Sequence, residues 1–173
     1  HCLWDETCGG WFAGDTFGVS YRDFDTARGA WIMAISTPVQ FEPEVLRASI
    51  ERLLSFEPAW IYLTHFGRVD DVPRLGRHLL ELLDAMAAIG TRHAAAPLRH
   101  EVLKRELAAL YGASLARHGI AHIFGKADLG RILLLFGGGR GSKKRGGRNR
   151  QAQANRPCAY EQPSNRFFHL SSP

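Results

Sequence analysis

Trp11-Phe12-Ala13-Gly14-Asp15-Thr16-Phe17-Gly18 is an apolar run that ends in an aspartate held between glycines. Fifty residues after that aspartate, Ile61-Tyr62-Leu63-Thr64-His65-Phe66-Gly67 follows the same plan with a histidine. Each reads as a short strand delivering one metal-competent side chain into a Gly-containing loop. The small residues around Asp15 are expected to let backbone and ligand approach it closely. Taken singly, Asp15 reads first as a turn aspartate, because Asp, Thr and Gly are common in β-turns. Taken singly, His65 reads first as a histidine hydrogen-bonded at a strand end.

The segment between them makes the pair more informative. Pro43 suits a first helical position. Leu46, Ile50, Leu53 and Leu54 then recur at helical spacing until Pro58 breaks the pattern. Strand, helix, strand and loop, in that order, imply an α/β layered domain, and ligand sites in such domains gather at the C-terminal ends of strands. Upstream, Cys2-Leu3-Trp4 is a short extended run, and Glu6 to Gly10 is a turn into Trp11-Phe12-Ala13, which together predict a hairpin. Trp31 to Ile35 is expected to be a further strand. Downstream, Asp71 and Pro73 are placed to cap and start a helix with the stripe Leu75, Leu79, Leu82, Leu83, Met86 and Ile89. Pro97 opens a second, with Leu103, Leu107, Leu110, Tyr111, Ser114 and Leu115. A short Ala-rich link predicts an antiparallel helical hairpin. Leu129 to Phe136 is a third apolar stretch.

Gly14-Asp15-Thr16-Phe17-Gly18 and Leu63-Thr64-His65-Phe66-Gly67 resemble the last two metal-ligand motifs of the metallo-β-lactamase superfamily. The resemblance covers residues 1–70 well, and the helices to about residue 120 fit a helical extension found in some members. It implies an α/β fold: the C-terminal half of an αββα sandwich, then the helical hairpin, then a disordered tail. It also implies metal-dependent hydrolysis by water activated at a binuclear metal site. Asp15 would be the bridging and catalytic carboxylate and His65 a ligand to one metal. Zinc is the metal the ligand types favour, with two ions in the complete family, and iron or manganese also fits. The family's His-x-His-x-Asp-His loop is absent from this sequence. A further ligand histidine usually precedes the Gly-Asp-Thr by ten to twenty residues. His1 lies in that window, and is either that ligand or a neighbour of it. With so few ligands, this chain is expected to be inactive or nearly so, although the family is enzymatic. The resemblance names a mechanism and a small-molecule substrate, without saying which. Half a sandwich would also leave one sheet face bare, so self-association is expected.

Charge divides the chain. Residues 1–136 hold 14 Lys/Arg against 16 Asp/Glu, whereas residues 137–173 hold 8 Lys/Arg and the single acid Glu161. The overall net charge of +5 therefore belongs to the tail. The body offers no electrostatic reason to bind nucleic acid or a membrane surface. The tail, Gly-rich with Lys143, Lys144, Arg145, Arg148 and Arg150, has too few aliphatic side chains to fold. It has two readings: unrelated sequence from a frame change or junction, or a nonspecific nucleic-acid binder acting through phosphate contacts. The domain division expected is thus 1–70, 71–136 and 137–173.

Other motifs are missing. Position 104 is Lys, so His100-Glu101 is no His-Glu-x-x-His zinc site. There is no Gly-x-Ser-x-Gly elbow and no Walker loop. His78, His93, His100, His118 and His122 fall on or between the helices and read as solvated or packed. Nothing near His1 combines a basic stretch with the apolar run of a signal peptide, and the run Ile132 to Phe136 is too short to cross a bilayer. Three cysteines at no metal spacing, Cys2, Cys8 and Cys158, argue against a disulfide scaffold and make the cytoplasm the expected setting. Cys2 and Cys8 could meet across the hairpin, but they read more simply as packed free thiols.

Overall fold

Alternating burial along four short strands sorts one sheet into a covered face and an open one. The computed structural model describes residues 1–35, 41–64, 67–120 and 169–170. It is a small mixed α/β fold. The strands are β1 (Cys2–Asp5), β2 (Gly10–Gly14), β3 (Trp60–Leu63), β4 (Gly67–Val69) and β5 (His169–Leu170), and they join in the order β4-β3-β2-β1-β5. β2 and β3 are parallel and the other neighbours antiparallel. The helices are α1 (Pro43–Leu54), α2 (Val72–Arg92) and α3 (Arg99–Arg117). Among the described residues no helix is long and apolar enough to cross a membrane.

The register pairs Trp4 with Trp11, Trp11 with Ile61, and Ile61 with Val69. This row faces the helices. Trp11 is fully buried and its Nε1 donates to the Leu53 carbonyl of α1 at 3.1 Å. Trp4, Trp11 and Phe56 close the corner with ring centroids 4.9 to 5.4 Å apart. The next row pairs Leu3 with Phe12, Phe12 with Tyr62, and Tyr62 with Arg68. Successive strand residues point to opposite faces, so this row lies on the other side. There Phe12 is 47% and Leu3 38% exposed, and Phe12 stacks on Tyr62 at 4.6 Å.

The helices follow their sequence stripes. Leu75, Leu79, Leu82, Leu83, Met86 and Ile89 of α2 are all buried, joined by Val72. α3 buries Tyr111, Ser114 and Leu115, with Leu107 and Leu110 packed against the core. α2 packs on both α1 and α3. Asp71 does precede α2, but its side chain caps nothing; it pairs with Arg74 instead. α3 starts two residues beyond Pro97, at Arg99.

Three expectations need correction. Trp31 to Ile35 is not a strand. Met33 forms an isolated bridge with Val19, through backbone bonds of 3.0 Å in both directions. Trp31, Ile32, Met33 and Ala34 are nonetheless almost wholly buried, so their apolarity reflects core packing rather than sheet pairing. The loop expected from Thr64 to Gly67 leads straight into β4, a three-residue strand with one buried side chain, Val69, too short to show alternation in the sequence. The two N-terminal cysteines do not both stay free thiols: Cys2 is a free, buried thiol donating to the Ala13 carbonyl at 3.4 Å, as expected, whereas Cys8 is disulfide-bonded. The expected tail, 137–173, enters the described residues only at β5. The apolar stretch Leu129 to Phe136 lies outside them.

Candidate metal centre

Parallel pairing puts the C-terminal ends of β2 and β3 at one edge of the sheet. The antiparallel β1 brings its start, His1 and Cys2, to the same edge. Gly14 is in register with Leu63, and the Thr64 amide donates to the Gly14 carbonyl at 3.4 Å. A Cβ placed on Gly14 would lie 3.8 Å from Thr64 Oγ1 and 3.9 Å from the His1 carbonyl oxygen. Gly14 is therefore the point where the three chain segments converge. Cys2 Sγ ties β1 to the following turn, 3.5 Å from Thr16 Oγ1.

Asp15 leaves β2 here. The register shifts between Phe12 and Gly14, so two steps along β2 match one along β3. Such a bulge bends a strand and increases its local twist. Two overlapping turns follow, with Thr16 N donating to Ala13 O at 3.1 Å and Gly18 N to Asp15 O at 3.0 Å. Asp15 sits exposed on this turn, and His1 is exposed at the start of β1.

His65 lies outside the described residues. Thr64 and Gly67, on either side of residues 65–66, are described and bracket the step from β3 to β4. Among the described residues no group of three or more His, Cys, Asp or Glu could hold a metal ion. The described edge thus holds one carboxylate residue and one histidine of the expected ligands, and their oxygen and nitrogen donors are of the type zinc accepts.

The glycines have a different purpose from the one expected. Gly18 has φ +74°, and a Cβ there would come within 2.4 Å of the Met33 carbonyl oxygen and 3.0 Å of Leu79 Cδ1. It is required by the Val19–Met33 bridge and the core rather than by a ligand. Gly14, at φ +57°, has ordinary room for a Cβ, so its requirement is backbone conformation alone.

The helix histidines behave as packed or solvated side chains. His118 is buried and its Nε2 contacts the Gly29 carbonyl at 3.1 Å, as donor. His78 is half-buried, with Nε2 3.1 Å from Ser114 Oγ. His100 is exposed, and His93 Nε2 is buried with no hydrogen-bond partner among the described residues. His122 lies outside them. Sequence reading did not bring His78 and His118 together. They sit on different helical segments, forty residues apart in the chain, and only the packing of α2 on α3 joins them.

Comparison of the chain with protein-family models, with curated proteins and with solved structures found no match.

Proposed function

We propose that this chain carries the C-terminal half of a metallo-β-lactamase-type metal-dependent hydrolase. The observation behind this reading is the convergence of His1, Asp15 and the chain entering His65 at one sheet edge. The resemblance needs these three segments together, and the parallel pairing of β2 with β3 supplies that arrangement. Its second support is the sheet itself. Helices cover one face, while the other carries Leu3, Phe12 and Tyr62, as half of an αββα sandwich would.

In this reading Asp15, His65 and His1 hold metal, with zinc favoured over iron or manganese by ligand type. The bound metal supplies Lewis-acid activation of water and stabilises charge developing on a carbonyl or phosphoryl oxygen. In this reading the Asp15 carboxylate, an acceptor when ionised, would help orient the attacking water against a small-molecule substrate. The bulge and the paired turns fix where Asp15 leaves the sheet, so its position is set by backbone hydrogen bonds. Three protein ligands are fewer than a binuclear centre uses, and the ligands act together. The chain alone is therefore proposed to be inactive or nearly so.

Metal content of the purified chain tests the reading, measured beside Asp15→Ala and His65→Ala variants. Near-stoichiometric zinc, iron or manganese lost in both variants is the expected result. Absence of metal from all three proteins after incubation with those ions would sink it.

A further inference from the structure

A second concavity lies away from the sheet, between α2, α3 and residues 26–31. It is a cleft of about 290 Å³. One face of α2 contributes Arg74, Arg77, His78 and Glu81, at the spacing that puts side chains on one side of a helix. α3 contributes Ser114, Arg117 and His118 at the same kind of spacing, and the connecting segment adds Arg28 and Trp31. Four guanidiniums thus line one cleft with a single carboxylate, Glu81.

Their charge is cancelled only in part. Arg28 donates to the Arg117 carbonyl, which anchors a guanidinium without neutralising it. Arg74 pairs with Asp71 and also donates to the Ala30 carbonyl at 3.0 Å. Among the described residues Arg77 and Arg117 have no ion pair. Like charges gathered in a concave site repel one another and focus a positive potential that attracts anions.

The floor of the cleft is tied by hydrogen bonds. Trp31 Nε1 donates to Ser114 Oγ at 2.9 Å, and Ser114 Oγ lies 3.1 Å from His78 Nε2. With one Ser114 lone pair occupied by the indole, its hydroxyl proton is free to point at His78 Nε2, which leaves the His78 proton on Nδ1. Ser114 is only 1% exposed, so the pair is a buried polar chain rather than a nucleophile and base. His118 Nε2 holds the Gly29 carbonyl, fixing residues 26–31 against α3. Burial holds His78 below the usual histidine range, opposed by Glu81 and reinforced by Arg117, His118 and Arg74. The positive charge of the cleft at neutral pH is therefore carried by arginines, which stay charged and match phosphate oxygens with paired donors.

We infer that this cleft is a binding site for the phosphate group of a small molecule, with Arg77 and Arg117 as its principal contacts. The site is independent of Asp15 and His65 and stands whether or not the metal reading does. A phosphate dianion suits the excess of guanidinium over carboxylate better than a singly charged carboxylate does.

The test is calorimetric titration of the full chain with inorganic phosphate at fixed ionic strength, with acetate titrated in parallel. Arg77→Ala/Arg117→Ala is compared with Arg99→Ala, an exposed arginine outside the cleft, after circular dichroism confirms that both variants are folded. Saturable one-to-one phosphate binding is expected, weakened about tenfold or more in the double variant and unchanged in Arg99→Ala. Absence of saturable binding, equal weakening in Arg99→Ala, or an unchanged Kd in the double variant would overturn the site. Acetate binding as tightly as phosphate would overturn its assignment to phosphate.

Discussion

Trp31 Nε1 donates to Ser114 Oγ at 2.9 Å, joining residues 83 apart in the chain where both side chains are about 1% exposed. The bond pins α3 to the buried segment that contains Met33 of the Val19–Met33 bridge. Tyr111, one turn earlier on α3, does the same by donating to the Ala34 carbonyl at 2.7 Å. Ser114→Ala strands the indole N–H in the core, and an unsatisfied buried donor costs about 1–3 kcal/mol. Urea denaturation should show that loss as a lower midpoint with an unchanged slope. In the Trp31→Phe background the same substitution should cost less, because the stranded donor is gone. Equal costs in both backgrounds would mean that the hydrogen bond is energetically silent.

Gly14 and Gly18 should respond differently to alanine. Gly14→Ala incurs the left-handed backbone penalty alone, about 1–2 kcal/mol. Gly18→Ala adds a collision with the Met33 carbonyl oxygen, 2.4 Å from the new Cβ, and a main-chain atom cannot rotate away. We expect a loss of about 3 kcal/mol or more, or failure to fold. Thermal melts of the two variants give the comparison; equal Tm values would show that the bridge yields easily.

Acid should weaken the fold through His78 and His118. Both are held below the ordinary histidine value, mainly by burial. Arg74 opposes protonation of each; Glu81 favours it at His78, and the Gly29 and Phe24 carbonyls favour it at His118. Because the folded pKa lies under the unfolded one, the unfolded chain takes up protons first as pH falls. Stability is therefore full above about pH 6.5 and declines as pH drops from there toward the folded pKa values. Melting temperatures between pH 7.5 and 5 should fall, and His78→Gln should flatten part of that slope. An identical slope in wild type and variant would remove His78 from the account.

The open sheet face should govern association. Phe12 and Tyr62 stack with an interplanar angle of 14° and Phe12 is half exposed. We expect light scattering behind size exclusion to show self-association of the chain, reduced in Phe12→Ser/Tyr62→Ser. A monodisperse wild-type monomer would count against the bare-face reading.

Legibility in the sequence followed the range of the interactions. α1, α2 and β3 were readable because each stripe or run is local and is bounded by a proline or a turn. The place of Asp15 at the end of β2 was readable for the same reason. The bulge at Ala13 was not, since it exists only in the register with β3. Trp31 to Ile35 misled because a run buried in the core has the same composition as a buried strand, and pairing depends on a distant partner. The arginine cleft was invisible for a related cause. Arg28, Arg77 and Arg117 come from three segments, and in each they look like ordinary solvated charges.

The parallel pairing of β2 and β3 also constrains how the chain can fold. Gly10 meets Trp60 and Trp11 meets Ile61, contacts between residues fifty apart. The β1–β2 pairing spans only a short turn and can form early. β3 can be added only after a long loop has closed, an entropic cost met before the pairing rewards it. Until β3 pairs with it, one side of β2 is an unpaired strand edge available to other chains. The rate of that docking step, in competition with edge-to-edge pairing between molecules, decides the yield of folded protein at high concentration.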